Sequence, residues 1–310
     1  MTKSSVSKAS PPAFGSGALM VLGGGLLIGL APIGLRLGLG ELGPQAIAFW
    51  RFVFSIPLAF ALVIILKKRA PQKPDIFIFL AAMFFAFNIA LWHAALSMTS
   101  VANATFLVNL GNIGAGFVAW LVLRERPSKI WFAAIAFAAL GAGALSLGGG
   151  GAQNQTNSFQ GDFLALGAAI VVACYVVTAK MGRRTLSAID AIFWLCLFEA
   201  GFAAIAVLAT GEAFLPNKAV GFAAPLFLAV AVQIGGQGLI VAGLGHTSAA
   251  IGGVMIVAQP VVAAIISWRL FGEVLLPVQL MGCALIIIAI IAAQTPSRPS
   301  AAKPDAPAAK

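Results

Sequence analysis

The chain consists of long apolar runs separated by short polar or glycine- and proline-rich breaks. A bilayer core requires about 20 apolar residues per helix, and the breaks divide the chain into ten runs of that size. The pattern therefore predicts ten membrane-spanning helices. The predicted spans are Ser16–Leu37, Pro44–Leu66, Pro74–Ser97, Ser100–Leu123, Ser128–Leu147, Gly161–Met181, Ser187–Ala209, Ala219–Leu244, Thr247–Phe271 and Val274–Ala293.

The composition supports an all-α integral membrane protein. The 310 residues are 61% hydrophobic and 9% charged, whereas a soluble domain carries about 25% charged residues because water must wet its surface. Cys174, Cys196 and Cys283 all fall inside apolar runs, without a CxxC pair. We therefore interpret them as small buried side chains, and we expect no disulfide and no metal site.

The net charge of +10 first suggests an anionic partner such as nucleic acid, but the cations are not clustered on one surface with aromatics between them. They alternate from loop to loop. Fifteen lie in the tails and loops of one side and three, Arg36, Lys218 and Arg269, lie on the other. Cytoplasmic loops carry the excess of Lys and Arg. The charge therefore places both termini in the cytoplasm and requires no nucleic-acid partner.

Two constant offsets relate the halves of the chain. At an offset of 148, Trp120 and Glu125 match Trp268 and Glu273, and at an offset of 144 the Phe49-Trp50 pair matches Phe193-Trp194. Each half contains five predicted helices, so the second half enters the membrane from the opposite face, as in the inverted repeats of secondary transporters. The predicted organisation is a tail (1–15), a first repeat (16–147), a periplasmic linker (148–160), a second repeat (161–293) and a tail (294–310).

Several motifs resemble those of the drug/metabolite transporter superfamily, in its ten-helix EamA-type branch. They are Phe49-Trp50-Arg51, Thr99-Ser100-Val101-Ala102-Asn103-Ala104, Glu125, Gly141, Thr247-Ser248-Ala249-Ala250, Gln259-Pro260 and Glu273. The chain departs from the family at Asn112, where a proline like Pro260 is frequent, so the fourth span need not bend as the ninth does.

Among members of that branch, the chain is most similar to bacterial exporters of aromatic and other neutral amino acids. The resemblance implies a multi-pass protein of the bacterial inner membrane, with the lipid bilayer and a small-molecule solute as its partners. Proton-coupled multidrug or cation efflux is the alternative. The residues leave the solute, the driving force and the oligomeric state open.

Polar positions pooled from the third and eighth spans fall on one helix stripe. Phe85, Asn88, Trp92, Gln233 and Gln237 occupy equivalent positions i, i+3, i+4 and i+7 once the repeats are aligned. Amides facing lipid would be costly, which favours a stripe that faces a cavity. Interhelical hydrogen bonding by the same amides is the alternative.

The fourth and ninth spans contain a second polar stripe and matching interruptions. Asn109 and Asn112 interrupt the fourth span, while Gln259 and Pro260 interrupt the ninth, and Pro32 is a further candidate break in the first. Interrupted helices at corresponding places are typical of transporter sites. The alternative is close helix packing through the small residues Gly111, Gly114 and Gly116.

Aromatic side chains complete the candidate cavity. Trp92, Tyr175 and Trp50 could stack on a flat solute or enclose an ammonium group. Four others, Trp120, Trp131, Trp194 and Trp268, are interpreted as residues of the membrane interface. His93 adjoins Trp92 and is interpreted first as a hydrogen-bonded packing residue, with a proton-linked role as the alternative.

Two charged residues, Arg51 and Glu199, lie deep in predicted spans. From the ends of their helices, each lies roughly 11–12 Å below the outer surface of the core, at 1.5 Å per residue. Equal depth permits an ion pair, provided that the second and seventh spans are neighbours. Glu125 and Glu273 are interpreted as structural partners of nearby arginines, and Lys180 and Arg36 as residues that extend to the interface.

Other classes of function fit the sequence less well. An intramembrane enzyme would need a catalytic set, yet His93 and His246 lie far apart, there is no HExxH motif, and Glu199 is the single deep carboxylate. There is also no Walker A sequence, so ATP is not the direct energy source. We expect a non-enzymatic protein without a cofactor. A passive channel and a membrane scaffold remain as alternatives.

Overall fold

The computed structural model describes residues 15–96, 98–99, 101–125, 127–147, 159–271 and 275–294, and within these ranges the regular structure is helical. The helices are α1 (Ser16–Ile28), α2 (Ala31–Gly38), α3 (Pro44–Lys67), α4 (Ile76–Leu96), α5 (Val101–Leu123), α6 (Lys129–Leu147), α7 (Phe159–Gly182), α8 (Ala188–Thr210), α9 (Ala223–Phe227), α10 (Gly238–Leu244), α11 (Ala249–Ile256), α12 (Gln259–Phe271) and α13 (Pro277–Gln294). A 3₁₀ turn, Ala219–Phe222, precedes α9, and a π-helical stretch, Leu228–Gln237, joins α9 to α10.

Eight helical segments of the described chain are long and apolar enough to cross a membrane. They correspond to α1 with α2, α3, α4, α5, α7, α8, the continuous run from Ala219 to Leu244, and α11 with α12. Two further apolar helices, Lys129–Leu145 and Pro277–Ala293, are shorter. The helix ends lie within three residues of those predicted from the apolar runs, because the same charged and Gly/Pro-rich breaks end both.

Two of the long segments are broken near their middle. Gly29 and Leu30 separate α1 from α2, and Val257 and Ala258 separate α11 from α12. Proline is the second residue of the following helix in both cases, as Pro32 and Pro260. Since proline has no N–H, the carbonyl groups four residues earlier lose their helical donor. The backbone is therefore interrupted in the first and ninth predicted spans, which are not equivalent in the two repeats. The fourth span, which corresponds to the ninth, is the continuous helix α5, so the interruption predicted at Asn109 and Asn112 is not found.

Helices from the two halves of the chain pack against one another. The most extensive pairings are α4 with α7, α6 with α13, α5 with α7, α3 with α8, α1 with α10, α4 with α8, and α5 with α11. Residues of several loops meet at one end of the bundle: Arg69 bonds Asp190, Thr185 bonds Asp75, and Lys180 bonds Glu125. We call this end the basic end, because Lys67, Lys68, Arg69, Lys73, Arg124, Lys129, Lys180, Arg183 and Arg184 lie there.

The other end of the bundle, which we call the opposite end, has its own loop contacts. The carboxylate of Glu212 accepts a hydrogen bond from the backbone N–H of Ala46 at 2.9 Å, and Thr99 donates to Asp162 at 2.8 Å. Alternate loops thus lie at opposite ends, as the distribution of cations predicts.

Glycines allow some helices to touch through their backbones. A Cβ atom on Gly111 of α5 would lie 2.0 Å from the carbonyl oxygen of Ala169 in α7, and one on Gly116 would lie 2.2 Å from the Trp131 ring. A Cβ atom on Gly114, in contrast, would have nothing within 4 Å. The close-packing interpretation therefore applies to Gly111 and Gly116 and not to Gly114.

Two interfacial interpretations are wrong. Trp131 is only 2% exposed, and its indole Nε1 donates to the carbonyl of Ala250 at 3.0 Å, so it belongs to the protein core. Lys180 does not extend to the interface but pairs with Glu125 of the other half. Some residues of the motifs and loops considered above lie outside the described residues: Glu273 and residues 100 and 126.

Candidate functional site

A cavity of about 120 Å³ lies inside the bundle, between the two broken helices and α3, α4, α5 and α7. Gly29 lines it from the first break and Gln259 from the second. Most of its lining residues come from the parts of these helices that lie nearer to the opposite end of the bundle. Seven of the nine predicted cavity residues line it: Phe85, Asn88, Trp92, Asn109, Asn112, Tyr175 and Gln259. Pro32, Pro260 and Arg51 also line it.

The three asparagines of the cavity wall also make hydrogen bonds within the protein. The side chain of Asn88 in α4 donates to the carbonyl of Ala168 in α7 at 3.0 Å. Asn109 donates to the carbonyl of Thr105 at 2.9 Å, and Asn112 donates to Asn109 at 3.3 Å, both inside α5. Cavity lining and interhelical hydrogen bonding, which the sequence presents as alternatives, therefore coexist in Asn88.

Gln233 and Gln237, the other two predicted cavity residues, lie behind the wall rather than in it. Both are fully buried in the π-helical stretch. Their amide nitrogens donate to the two carboxylate oxygens of Glu199, each at 2.7 Å. Gln233 also donates to Gln237, which in turn donates to the Tyr175 hydroxyl at 3.2 Å. The two glutamines are thus scaffold residues that hold other side chains.

Arg51 and Glu199 are linked through Gln233. The guanidinium Nε and Nη2 of Arg51 donate to Gln233 Oε1 at 3.0 and 2.7 Å, while Gln233 Nε2 donates to Glu199. Their helices, α3 and α8, pack side by side. Arg51 lines the cavity, whereas Glu199 is fully buried and does not. The cavity therefore faces the cation of this network, and the anion lies behind an amide.

Aromatic rings form one wall of the cavity beside Arg51. The Phe85 and Tyr175 rings are 4.8 Å apart between centroids, and the Arg51 Cζ atom lies 5.8 Å from the centroid of Phe85. Trp92 packs against His93 with ring centroids 5.3 Å apart. Trp50, in contrast, points away from the cavity and donates its indole N–H to the carbonyl of Phe214.

His93 lines the cavity, although sequence reasoning interpreted it first as a packing residue. Its side chain is buried, and its Nδ1 atom has no hydrogen-bond partner among the described residues. Apolar lining residues were also missed: Ile28, Ala31, Leu35, Ile47, Ala48, Ile89, Val108, Val172, Leu228, Ile240, Ile256 and Ala263. In a chain this hydrophobic, apolar residues that face lipid and those that face a cavity follow the same pattern.

Several polar contacts connect helices at the basic end of the bundle, and one of them joins the two halves. The Lys180 Nζ and Glu125 Oε1 atoms are 2.8 Å apart, and Lys180 also donates to the carbonyl of Thr247 at 2.6 Å. Arg183 donates to the carbonyl of Val241 at 3.1 Å, and burial lowers the pKa of its guanidinium below the usual value. These contacts tie α5, α7, α10 and the start of α11 together.

Comparison with known proteins assigns the chain to a family. Residues 15–147 and 159–294 each match the EamA-like transporter family. The chain is 25% identical over 277 residues to an uncharacterized transporter, YetK, of Bacillus subtilis strain 168, covering 84% of this chain and 83% of the relative. A protein of known crystal structure shares the fold with a TM-score of 0.77 and 16% identity, over 90% of this chain and 97% of that chain. The chain belongs to the EamA-like transporter family.

Proposed function

We propose that this protein is a secondary transporter that exports small neutral or zwitterionic metabolites, aromatic and other neutral amino acids first, across the bacterial inner membrane. The observation that carries the proposal is the cavity, which combines aromatic rings, amides and interrupted helices with one charged residue, Arg51, among the described lining residues. Aromatic rings suit a flat apolar side chain. Amides and unwound backbone supply the donors and acceptors that a zwitterion needs.

The charge distribution does not favour the alternative of cation efflux. A cationic drug in the cavity would face the Arg51 guanidinium, while the carboxylate of Glu199 is shielded behind Gln233. Like charges in a site of low dielectric repel strongly. A solute that carries a carboxylate avoids this repulsion.

Alternating access is the proposed mechanism, with inverted repeats as its basis. Helices α4 and α7 are the third and sixth predicted spans, and they pack together. Their counterparts in the other repeat are the eighth and first spans, which also pack together, through α10 and α1. This correspondence supports a pseudo-two-fold relation between the halves. The cavity lies nearer to the opposite end, while the basic end is held by Glu125 and Lys180. We propose that the basic end is cytoplasmic, as its cations indicate, that ten helices span the membrane, and that a cavity nearer to the other end belongs to a periplasm-facing state.

Uptake of labelled phenylalanine, tryptophan and threonine into inverted membrane vesicles tests the proposal. We expect saturable accumulation of at least the aromatic amino acids. Val108→Phe, which adds bulk to the cavity wall, should abolish it, whereas Val122→Phe on the exposed face of the same helix should not. Absence of saturable transport of all three amino acids would contradict the proposed solute class. Flux without saturation would instead indicate a channel.

A further inference from the structure

We infer that Arg51 and His93 form a subsite that binds the carboxylate of the solute. The inference rests on the proposed function and names the chemical group that the cavity recognises. It predicts that a carboxylate next to an apolar or aromatic group is required, whereas the ammonium group of an amino acid is dispensable for binding.

The guanidinium of Arg51 has one nitrogen available for a solute. Nε and Nη2 donate to Gln233, while Nη1 makes no hydrogen bond to any described residue. Arg51 is only 5% exposed, and within the part of the chain that the structure describes it is the one cavity-lining residue with a fixed charge. A buried guanidinium N–H pairs best with a carboxylate, because charge-assisted hydrogen bonds are stronger than neutral ones.

Gln233 and the groups behind it fix this guanidinium in place. Gln233 receives two hydrogen bonds from Arg51 and donates to Glu199, whose other oxygen is held by Gln237. Glu199 thereby balances the charge of Arg51 without occupying the position that a solute carboxylate would take. Because the arginine is held before the solute arrives, little conformational entropy is lost on binding.

His93 supplies a second polar atom to the same cavity. It is 7% exposed and lines the cavity beside Trp92, and its Nδ1 atom is buried without a partner among the described residues. A neutral imidazole that carries its proton on Nε2 leaves Nδ1 as the unpaired acceptor and Nε2 as a donor. Nδ1 is the His93 atom that is buried without a partner among the described residues, and the side chain lines the cavity, so we assign Nε2 as the atom that donates to a solute oxygen.

The neighbouring rings indicate what the carboxylate is attached to. Phe85 lies between Arg51 and Tyr175, with its ring centroid 5.8 Å from Arg51 Cζ and 4.8 Å from the Tyr175 ring. A carboxylate on Arg51 therefore places the adjacent carbon atoms of the solute against Phe85 and Tyr175. Phenylalanine and 3-phenylpropionate fit this arrangement, whereas phenylethylamine would bring an ammonium group beside the guanidinium.

Calorimetric titration of the purified protein with phenylalanine, 3-phenylpropionate and phenylethylamine tests the subsite. We expect the two carboxylates to bind at least about tenfold more tightly than the amine, as for one charge-assisted hydrogen bond. Arg51→Gln should weaken both carboxylates by about 10- to 100-fold and leave the amine unchanged or slightly improved. His93→Phe, which keeps an aromatic ring, should weaken the carboxylates by a smaller factor.

Arg184→Gln removes an exposed arginine at the basic end and is the matched control, expected to leave all three affinities unchanged. The wild-type comparison needs no variant, so it remains decisive if Arg51→Gln does not fold. Equal binding of phenylethylamine and 3-phenylpropionate, or no binding of any carboxylate, would overturn the subsite. If the protein transports amino acids but binds phenylethylamine and 3-phenylpropionate equally, the subsite alone is overturned. If it binds the carboxylates tightly but transports none of the amino acids, only the proposed function is overturned.

Discussion

Glu125 and Lys180 belong to different halves of the chain, yet their side chains meet at the basic end with Oε1 and Nζ 2.8 Å apart. The same lysine donates to the Thr247 carbonyl, and the backbone N–H of Ala249 donates to the other oxygen of Glu125 at 3.3 Å. The two side chains are 25% and 14% exposed, so water screens the pair only in part. The pair thereby connects the ends of α5 and α7 to the start of α11.

Removing either partner should loosen the basic end. We expect Glu125→Gln and Lys180→Gln each to lower the free energy of unfolding, with a coupling of about 1 kcal/mol between them in a double-mutant cycle. The transport rate should change as well, because the basic end loses a contact between the two halves. Chemical denaturation and vesicle uptake of the four proteins measure both effects. Strictly additive changes would show that the pair has no energetic role.

Substitution of Gly111 should separate two helices at the cavity. Gly111→Ala would place a methyl group 2.0 Å from the Ala169 carbonyl oxygen, so α5 and α7 must move apart. We expect a loss of about 1–3 kcal/mol, typical of overpacking, and reduced transport. Gly114→Ala, in the same helix, meets nothing within 4 Å and should be neutral or slightly stabilising. Thermal unfolding in detergent measures both, and equal Tm values for the two variants would contradict the packing described.

The loop between α3 and α4 offers a comparison of two cations. Arg69 makes two hydrogen bonds to the buried carboxylate of Asp190, at 3.0 and 2.8 Å, and they raise the pKa of the guanidinium above its usual value. Arg69→Gln leaves Asp190 without its cation and should lower Tm by about 5 °C, since an unpaired buried charge is strongly destabilising.

Lys73→Gln is the control, because it removes one exposed positive charge from the same loop. Its Tm should stay close to that of the wild type. A similar fall in both variants would assign the effect to loop charge rather than to the contact with Asp190.

Gln233 should matter for stability more than its neutral side chain suggests. Gln233→Leu removes the acceptor of two Arg51 hydrogen bonds and one donor to Glu199, and should cost about 2–4 kcal/mol. Gln259→Leu, on the cavity wall, should cost less because that side chain is partly exposed. Since Gln233 lies between the two charges, we also expect the double charge swap at Arg51 and Glu199 to restore neither stability nor transport. Restoration by the swap would indicate a direct ion pair.

The apolar runs alone determined the helices and the alternation of loops between the two ends. Their breaks at charged residues and at proline are local features, and local features are what a linear pattern records. The polar stripes also contain Phe85, Asn88 and Asn112, which line the cavity of the structure. A polar side chain in a membrane helix must avoid lipid, so its position in the sequence already restricts where it can face.

Only the tertiary structure decided how those polar residues divide between cavity and scaffold. Gln233 and Gln237 share a stripe with Asn88 when the repeats are aligned, but the π-helical stretch places them behind the wall, against Glu199. Trp131 and Lys180 likewise resembled interfacial residues until their partners on other helices were known. These assignments depend on contacts between residues far apart in the chain, and packing between helices, which no periodicity encodes, determines them.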